Sequence, residues 1–163
     1  MKRLIIALLV LVSPLLGFSQ QLSLFELLHH LSGKDHQINA ALQEKDTNWV
    51  VDFKKSDKAV NQDGIKNTIW KYNSYEIITL TLSENKTQGN VLYYHTENKS
   101  YFDHIKSQIQ AYEKKGEISL IETGTHLDGT LFSEYKTDKY QIILRVIAND
   151  IDLVLFMVGV AYL

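Results

Sequence analysis

The chain has 163 residues, with 17 Lys and Arg against 19 Asp and Glu for a formal charge of −2, and it contains no Cys. The lack of Cys excludes thiol nucleophiles, thiolate-bound zinc clusters and iron–sulfur ligation. Charges of both signs are interspersed, without the long single-sign block of a nucleic-acid arm or an acidic tail.

Residues 1–19, MKRLIIALLVLVSPLLGFS, have the three parts of a secretory leader. Lys2 and Arg3 form a basic start, an apolar run follows from Leu4, and Pro14 and Gly17 break the helix before small Ser19. The expected cut lies between Ser19 and Gln20. The apolar stretch 4–16 is shorter than the roughly 20 residues a spanning helix needs, and with no Cys there is no lipid attachment. The basic start and the Phe-Ser-Gln-Gln junction resemble exported proteins of the Bacteroidota, and the resemblance implies a Gram-negative periplasm or secretion. Cleavage removes two positive charges, so the formal charge moves from −2 to −4. A chain of the remaining length buries roughly 70% of its unfolded surface. The expectation is one α+β domain over 20–163.

Taken in order, Ser23 and Glu26 read as a capping box, followed by Leu24, Leu27, Leu28 and Leu31 at helical spacing and a stop at Gly33. Asp35 is expected to cap a short helix whose apolar side is Ile38, Ala41 and Leu42. Residues 49–53 (WVVDF) read as a strand, 54–66 as a loop, and 68–72 as the next strand. Asn73-Ser74 is short enough for a two-residue hairpin turn. In 75–83, Ile78, Leu80 and Leu82 alternate with Thr79 and Thr81, the pattern of a sheet wet on one side. Residues 84–89 turn the chain into a fourth strand, 90–96.

Asn98 or Ser100 caps the best helix, 101–115, with Phe102, Ile105, Ile109 and Tyr112 as its stripe and Gly116 as its stop. A second meander follows at 117–122, 130–136, 139–148 and 151–162, separated by the turn chemistry of Asp128-Gly129, Thr137-Asp138 and Asn149-Asp150. The expected fold is therefore two-layer α+β: an antiparallel sheet of about eight strands in two meanders, with helices packed on one face.

Residues 72–82 (YNSYEIITLTL) and 135–147 (YKTDKYQIILRVI) echo one another, which suggests one α-then-ββββ unit used twice, with halves near 22–96 and 97–163. Identity matches Tyr75 with Tyr140 but puts Leu80 on Arg145. Sliding by one residue matches Ile78, Leu80 and Leu82 with Ile142, Leu144 and Val146, and Thr81 with Arg145. A one-residue slip turns every side chain to the other face, so burial outranks identity. The last strand is apolar in both alternating sets, as an interior strand would be, or as a face left open to a partner.

No GxSxG elbow, Walker loop, GxGxxG or HExxH is present. Of six His, adjacent His29 and His30 point about 100° apart on a helix, a poor metal geometry. Asp103-His104 reads as a solvated pair, and Asp128 beside His126 as a turn residue. His95 can share a surface only with Tyr93. No base is paired with a nucleophile, so no catalytic, cofactor or metal residue is assigned. The expected function is a non-enzymatic exported module binding a protein or peptide through its open sheet face or edge, with Thr79, Thr81, Tyr93, His95 and Arg145 on that surface. The alternative is an apolar-ligand or glycan binder with a cavity between helices and sheet; a hydrolase is the third choice. No nucleic acid or inserted membrane is expected as a partner.

Overall fold

The structure, a computed structural model, describes residues 21–59, 61, 64–73, 76–83, 89–148 and 154–163. The expected leader 1–19, turn residues Asp63, Ser74 and Asn149-Asp150, the echo residue Tyr75, turn segment 84–88 and the start of the last strand (151–153) lie outside the described residues.

Three helices, α1 (Leu24–Leu31), α2 (Asp35–Lys45) and α3 (Lys99–Lys114), pack on one face of an antiparallel sheet. Its strands are β1 (Val50–Val51), β2 (Ile65–Lys71), β3 (Ile77–Ser83), β4 (Val91–Thr96), β5 (Ser119–Thr125), β6 (Leu131–Lys136), β7 (Tyr140–Ala148) and β8 (Val154–Tyr162). They lie side by side in the order β1-β2-β3-β4-β8-β7-β6-β5. This is the two-layer α+β arrangement that the alternating patterns predict.

Local chemistry sets the helix ends. The Ser23 hydroxyl accepts from the Glu26 N–H at 3.2 Å, and the Glu26 carboxylate accepts from the Ser23 N–H at 2.7 Å, which satisfies two donors of α1 reciprocally. Asn98 caps α3 by accepting from the Ser100 N–H at 3.0 Å. Asp35 is not a cap: Lys34 takes that position and Asp35 opens the helix. Its carboxylate turns to the sheet instead, accepting from Lys66 Nζ at 2.6 Å and Thr68 Oγ1 at 3.0 Å.

Two strand boundaries move from their expected places. β1 is confined to Val50–Val51, because Asp52 Oδ1 accepts from the Lys54 N–H at 3.2 Å and turns the chain away. β2 starts at Ile65, inside the stretch expected to be loop. Asn61 closes a turn there, exchanging bonds with Ile65 at 2.8 and 2.9 Å around Gly64, whose φ of 75° suits glycine. The β2–β3 connection is also longer than Asn73-Ser74, since the Tyr72 N–H donates to the Glu76 carbonyl.

The core lies between the helices and one sheet face. Trp49, Trp70, Ile78, Leu80, Leu92, Tyr94, Ile142, Val158 and Val160 meet Leu27, Leu31, Ile38, Leu42, Phe102, Ile105 and Ile109. At the stripe's C-terminal end Tyr112 emerges into solvent, 37% exposed. Ile78, Leu80, Ile142 and Leu144 all face the helices, so side-chain parity selects the register in which Ile78 matches Ile142 and Thr81 matches Arg145. In that register the strand order reads the same from either edge, with a local two-fold through the paired residues Tyr93 and Gly159. The halves are unequal: the first has two helices and a two-residue β1, the second one helix and a seven-residue β5.

β8 is one of the two central strands, paired with β4 on one side and β7 on the other. Phe156, Val158 and Val160 enter the core. On the opposite face Met157 is also buried, although no helix packs there among the described residues. Flanking strands supply the cover, as where the Tyr93 ring lies over Gly159. The doubly apolar pattern is thus that of an interior strand of the sheet.

Candidate functional site: the open sheet face

The sheet face away from the helices is built from the alternate positions of the strands. One row of directly paired residues crosses all eight strands: Gly124, Phe132, Arg145, Met157, His95, Ile77, Lys71 and Val50. The next row runs Glu122, Glu134, Ile143, Gly159, Tyr93, Thr79 and Ile69. In the first row, Arg145, His95 and Lys71 alternate with apolar side chains, about 10 Å apart at two strand spacings. All five residues singled out from sequence, Thr79, Thr81, Tyr93, His95 and Arg145, fall on this face, and all are half-buried.

They divide into three environments. Thr79 and His95 line a concavity of about 780 Å³ over β1 to β4, floored by Val50, Ile69, Ile77 and Leu155. Its rim includes Lys71 Nζ, 3.4 Å from the Asp52 carboxylate. Burial pushes the Asp52 carboxyl up, but bonds from the Lys54 N–H and from Lys71 outweigh this and hold it below the usual carboxylate range. Tyr93 tilts against His95, with ring centroids 6.4 Å apart. Burial drives the His95 imidazole below its ordinary pKa, so the ring is neutral at pH 7. Thr81 is already committed, donating to Asn67 Oδ1 at 2.7 Å on the neighbouring strand.

Arg145 stands apart. Its direct neighbours across the sheet are Phe132 and Met157. Glu134, diagonal to it on the neighbouring strand, accepts from Gln141 Nε2 at 2.6 Å. The Arg145 Nε is buried without a hydrogen-bond partner among the described residues. A buried donor left unsatisfied costs on the order of 1–3 kcal/mol.

His30 and His126 have structural surroundings. His30 is buried in α1 and its ring is pushed down to about 4 by burial. The His29 and His30 rings lie 6.2 Å apart, tilted by 52°. His126 stacks on Phe132 at 4.4 Å, while Asp128 accepts from the Thr130 N–H at 2.9 Å to form the turn. Asp103 pairs with Lys99 along α3. Among the described residues, no cluster of three His, Asp or Glu side chains could hold a metal, and no helix is long and apolar enough to cross a membrane.

A second concavity, of about 570 Å³, lies on the helix side between α1, the end of α3 and the β6–β7 turn. Leu24, Leu28, Tyr112, Ile118 and Tyr140 line it, and Phe25 overhangs it, 74% exposed. Sequence reasoning missed Phe132, Met157 and Ile69 as parts of the open face. The signal was present in the alternation of β2 and β6, but their faces could be assigned only once strand pairing was known. No protein-family profile, curated protein or solved structure matches this chain.

Proposed function

We propose that the chain is a non-enzymatic interaction module that binds a protein or peptide through its open sheet face. The observation behind this reading is the band of Phe132, Met157, Ile77, Ile69 and Leu155 on a face no described helix packs against, hollowed at one side into a 780 Å³ concavity. Half-buried apolar side chains interleaved with Arg145, His95 and Lys71 give this face the mixed apolar and charged composition of a protein contact. A catalytic reading lacks support in the geometry: no described carboxylate hydrogen-bonds to His95 or His126, so neither ring is poised as a general base. Affinity capture with the purified domain tests the reading when run beside Thr79→Arg, which fills the concavity without touching the core. A partner held by the parent and lost by Thr79→Arg is expected; the same partners on both would overturn it.

Export through cleavage between Ser19 and Gln20 belongs to the same reading. It is supported by Gln21 and Leu22, which follow the expected cut and are already packed at 7% and 0% exposure. The intact mass of protein recovered from the envelope or medium tests it, and an uncleaved Met1 would overturn it.

The helix-side concavity favours a second reading, an apolar ligand held against Leu28, Ile118 and Tyr140. In that case a hydrophobic ligand raises the melting temperature, and the rise disappears in Phe25→Ala/Tyr112→Ala. Full retention of the rise in that variant would exclude this groove.

A further inference from the structure

We infer that Arg145 anchors the open face, and that the partner presents to it an acidic side chain flanked by apolar residues. The inference rests on the open-face reading and adds the partner's chemistry. A guanidinium offers five donors in a planar fork suited to a carboxylate. Here Arg145 lies between Phe132 and Met157 across the sheet, and its Nε is buried without a partner among the described residues. Glu134, diagonal to it on the neighbouring strand, accepts from Gln141 Nε2 at 2.6 Å, and no ion pair joins it to Arg145 among the described residues. The other cation of the same row, Lys71, already has Asp52 at 3.4 Å. Arg145 is therefore a charge without a complement among the described residues, in surroundings where a charge-assisted hydrogen bond is strong because water is partly excluded.

The flanking residues define the rest of the occupant. Phe132 and Met157 on the adjacent strands and Ile143 and Ile147 on its own strand flank Arg145 on this face, so groups on either side of the incoming carboxylate meet apolar residues. Met157 and Phe132 also suit an aromatic neighbour, through sulfur–ring and ring–ring contact. A free phosphate or an isolated acetate would satisfy the charge but leave this apolar surface unused. A peptide with one Asp or Glu among large apolar residues satisfies both.

The test is selection of a random peptide library displayed on phage against the immobilised parent domain and against Arg145→Met. The Met variant keeps the volume and apolar stem and removes the fork. It should fold and melt no lower than the parent, because it deletes an unsatisfied buried donor. Against the parent, the enriched peptides should carry an acidic residue between apolar ones. Their synthetic counterparts should weaken by about tenfold or more when that residue becomes Asn or Gln, and equally on Arg145→Met. Enriched peptides that compete with Thr79→Arg-sensitive binding but need no acidic residue would overturn the Arg145 assignment while leaving open-face binding intact. Peptides that bind Thr79→Arg and Arg145→Met as well as the parent, or no enrichment, would overturn both.

Discussion

The ring of Tyr93 on β4 lies directly over Gly159 on β8: a Cβ added to the glycine would sit 3.0 Å from Tyr93 Cε1 and 3.1 Å from Cδ1. The two residues are a cross-strand pair at the local two-fold of the sheet, so the ring occupies the space that its own counterpart leaves empty. Gly159→Ala should therefore lower stability by about 1–2 kcal/mol through overpacking. The penalty should shrink or reverse in a Tyr93→Ala background, where the methyl group has room and improves strand propensity. Urea denaturation of the two single variants and the double variant measures the coupling. Additive effects would contradict the packing described.

Two buried groups oppose one another in their response to pH. Burial holds Glu76 protonated to about 7, against an ordinary 4.5, and only the Tyr94 hydroxyl, at 3.5 Å, offsets this. Its raised pKa means stability is lost as pH rises from 4.5 to about 7. Burial lowers His30 to about 4 from 6.5, so its contribution is lost as pH falls through that interval. Between pH 4.5 and 6.5 the two slopes cancel, and the parent should show nearly constant stability. Glu76→Gln should then gain stability with rising pH, by about 1.4 kcal/mol per unit, and His30→Leu should lose it at a similar rate. Denaturant midpoints across this range are the measurement.

Asp35 is the polar tie between α2 and β2. Replacing it with Ala removes acceptors from Lys66 and Thr68 and leaves the buried Thr68 hydroxyl without this partner. The expected loss is about 1–2 kcal/mol, moderated because Asp35 Oδ1 is itself buried and unpartnered. Asp35→Asn, which still accepts from Thr68, should cost less. The coupling to Lys66 in a double-mutant cycle should stay below about 1 kcal/mol, since both side chains are partly solvated.

α3 meets β8 through a ring contact. Phe102 and Phe156 have centroids 5.0 Å apart, and both are almost fully buried. Phe102→Ala should cost about 3–5 kcal/mol, and amide exchange should show α3 opening before β4 or β7. Of that loss, about 0.5–1.5 kcal/mol should appear as coupling to Phe156.

The fold was legible because its strands alternate cleanly: Ile78-Thr79-Leu80-Thr81 names its buried side by itself, and parity then aligns it with Ile142 and Leu144. Helix starts were legible where a side chain caps its own turn, as at Ser23 and Asn98. Asp35 was misread because its partners, Lys66 and Thr68, are over thirty residues away in the chain. The open face was only half legible. Thr79, Thr81, Tyr93, His95 and Arg145 could be assigned to it by alternation within their own strands. What makes Arg145 different from Thr81 is the set of neighbours that pairing supplies: Asn67 answers Thr81, while Glu134 beside Arg145 bonds to Gln141.

The middle position of β8 has a consequence for how the protein is made. β4 and β7, its two neighbours, both precede it in the chain, so each presents an open edge of backbone donors and acceptors until residues 154–162 have emerged. For a polypeptide threaded from its N-terminus, the sheet is assembled from the outside inward and closes with its keystone last. Until then it has two adhesive edges that their partner strand β8 does not yet cover, the condition in which nascent β proteins aggregate. Holding factors at the exit site, or release fast enough to outpace collision, would govern its yield more than the stability of the finished fold.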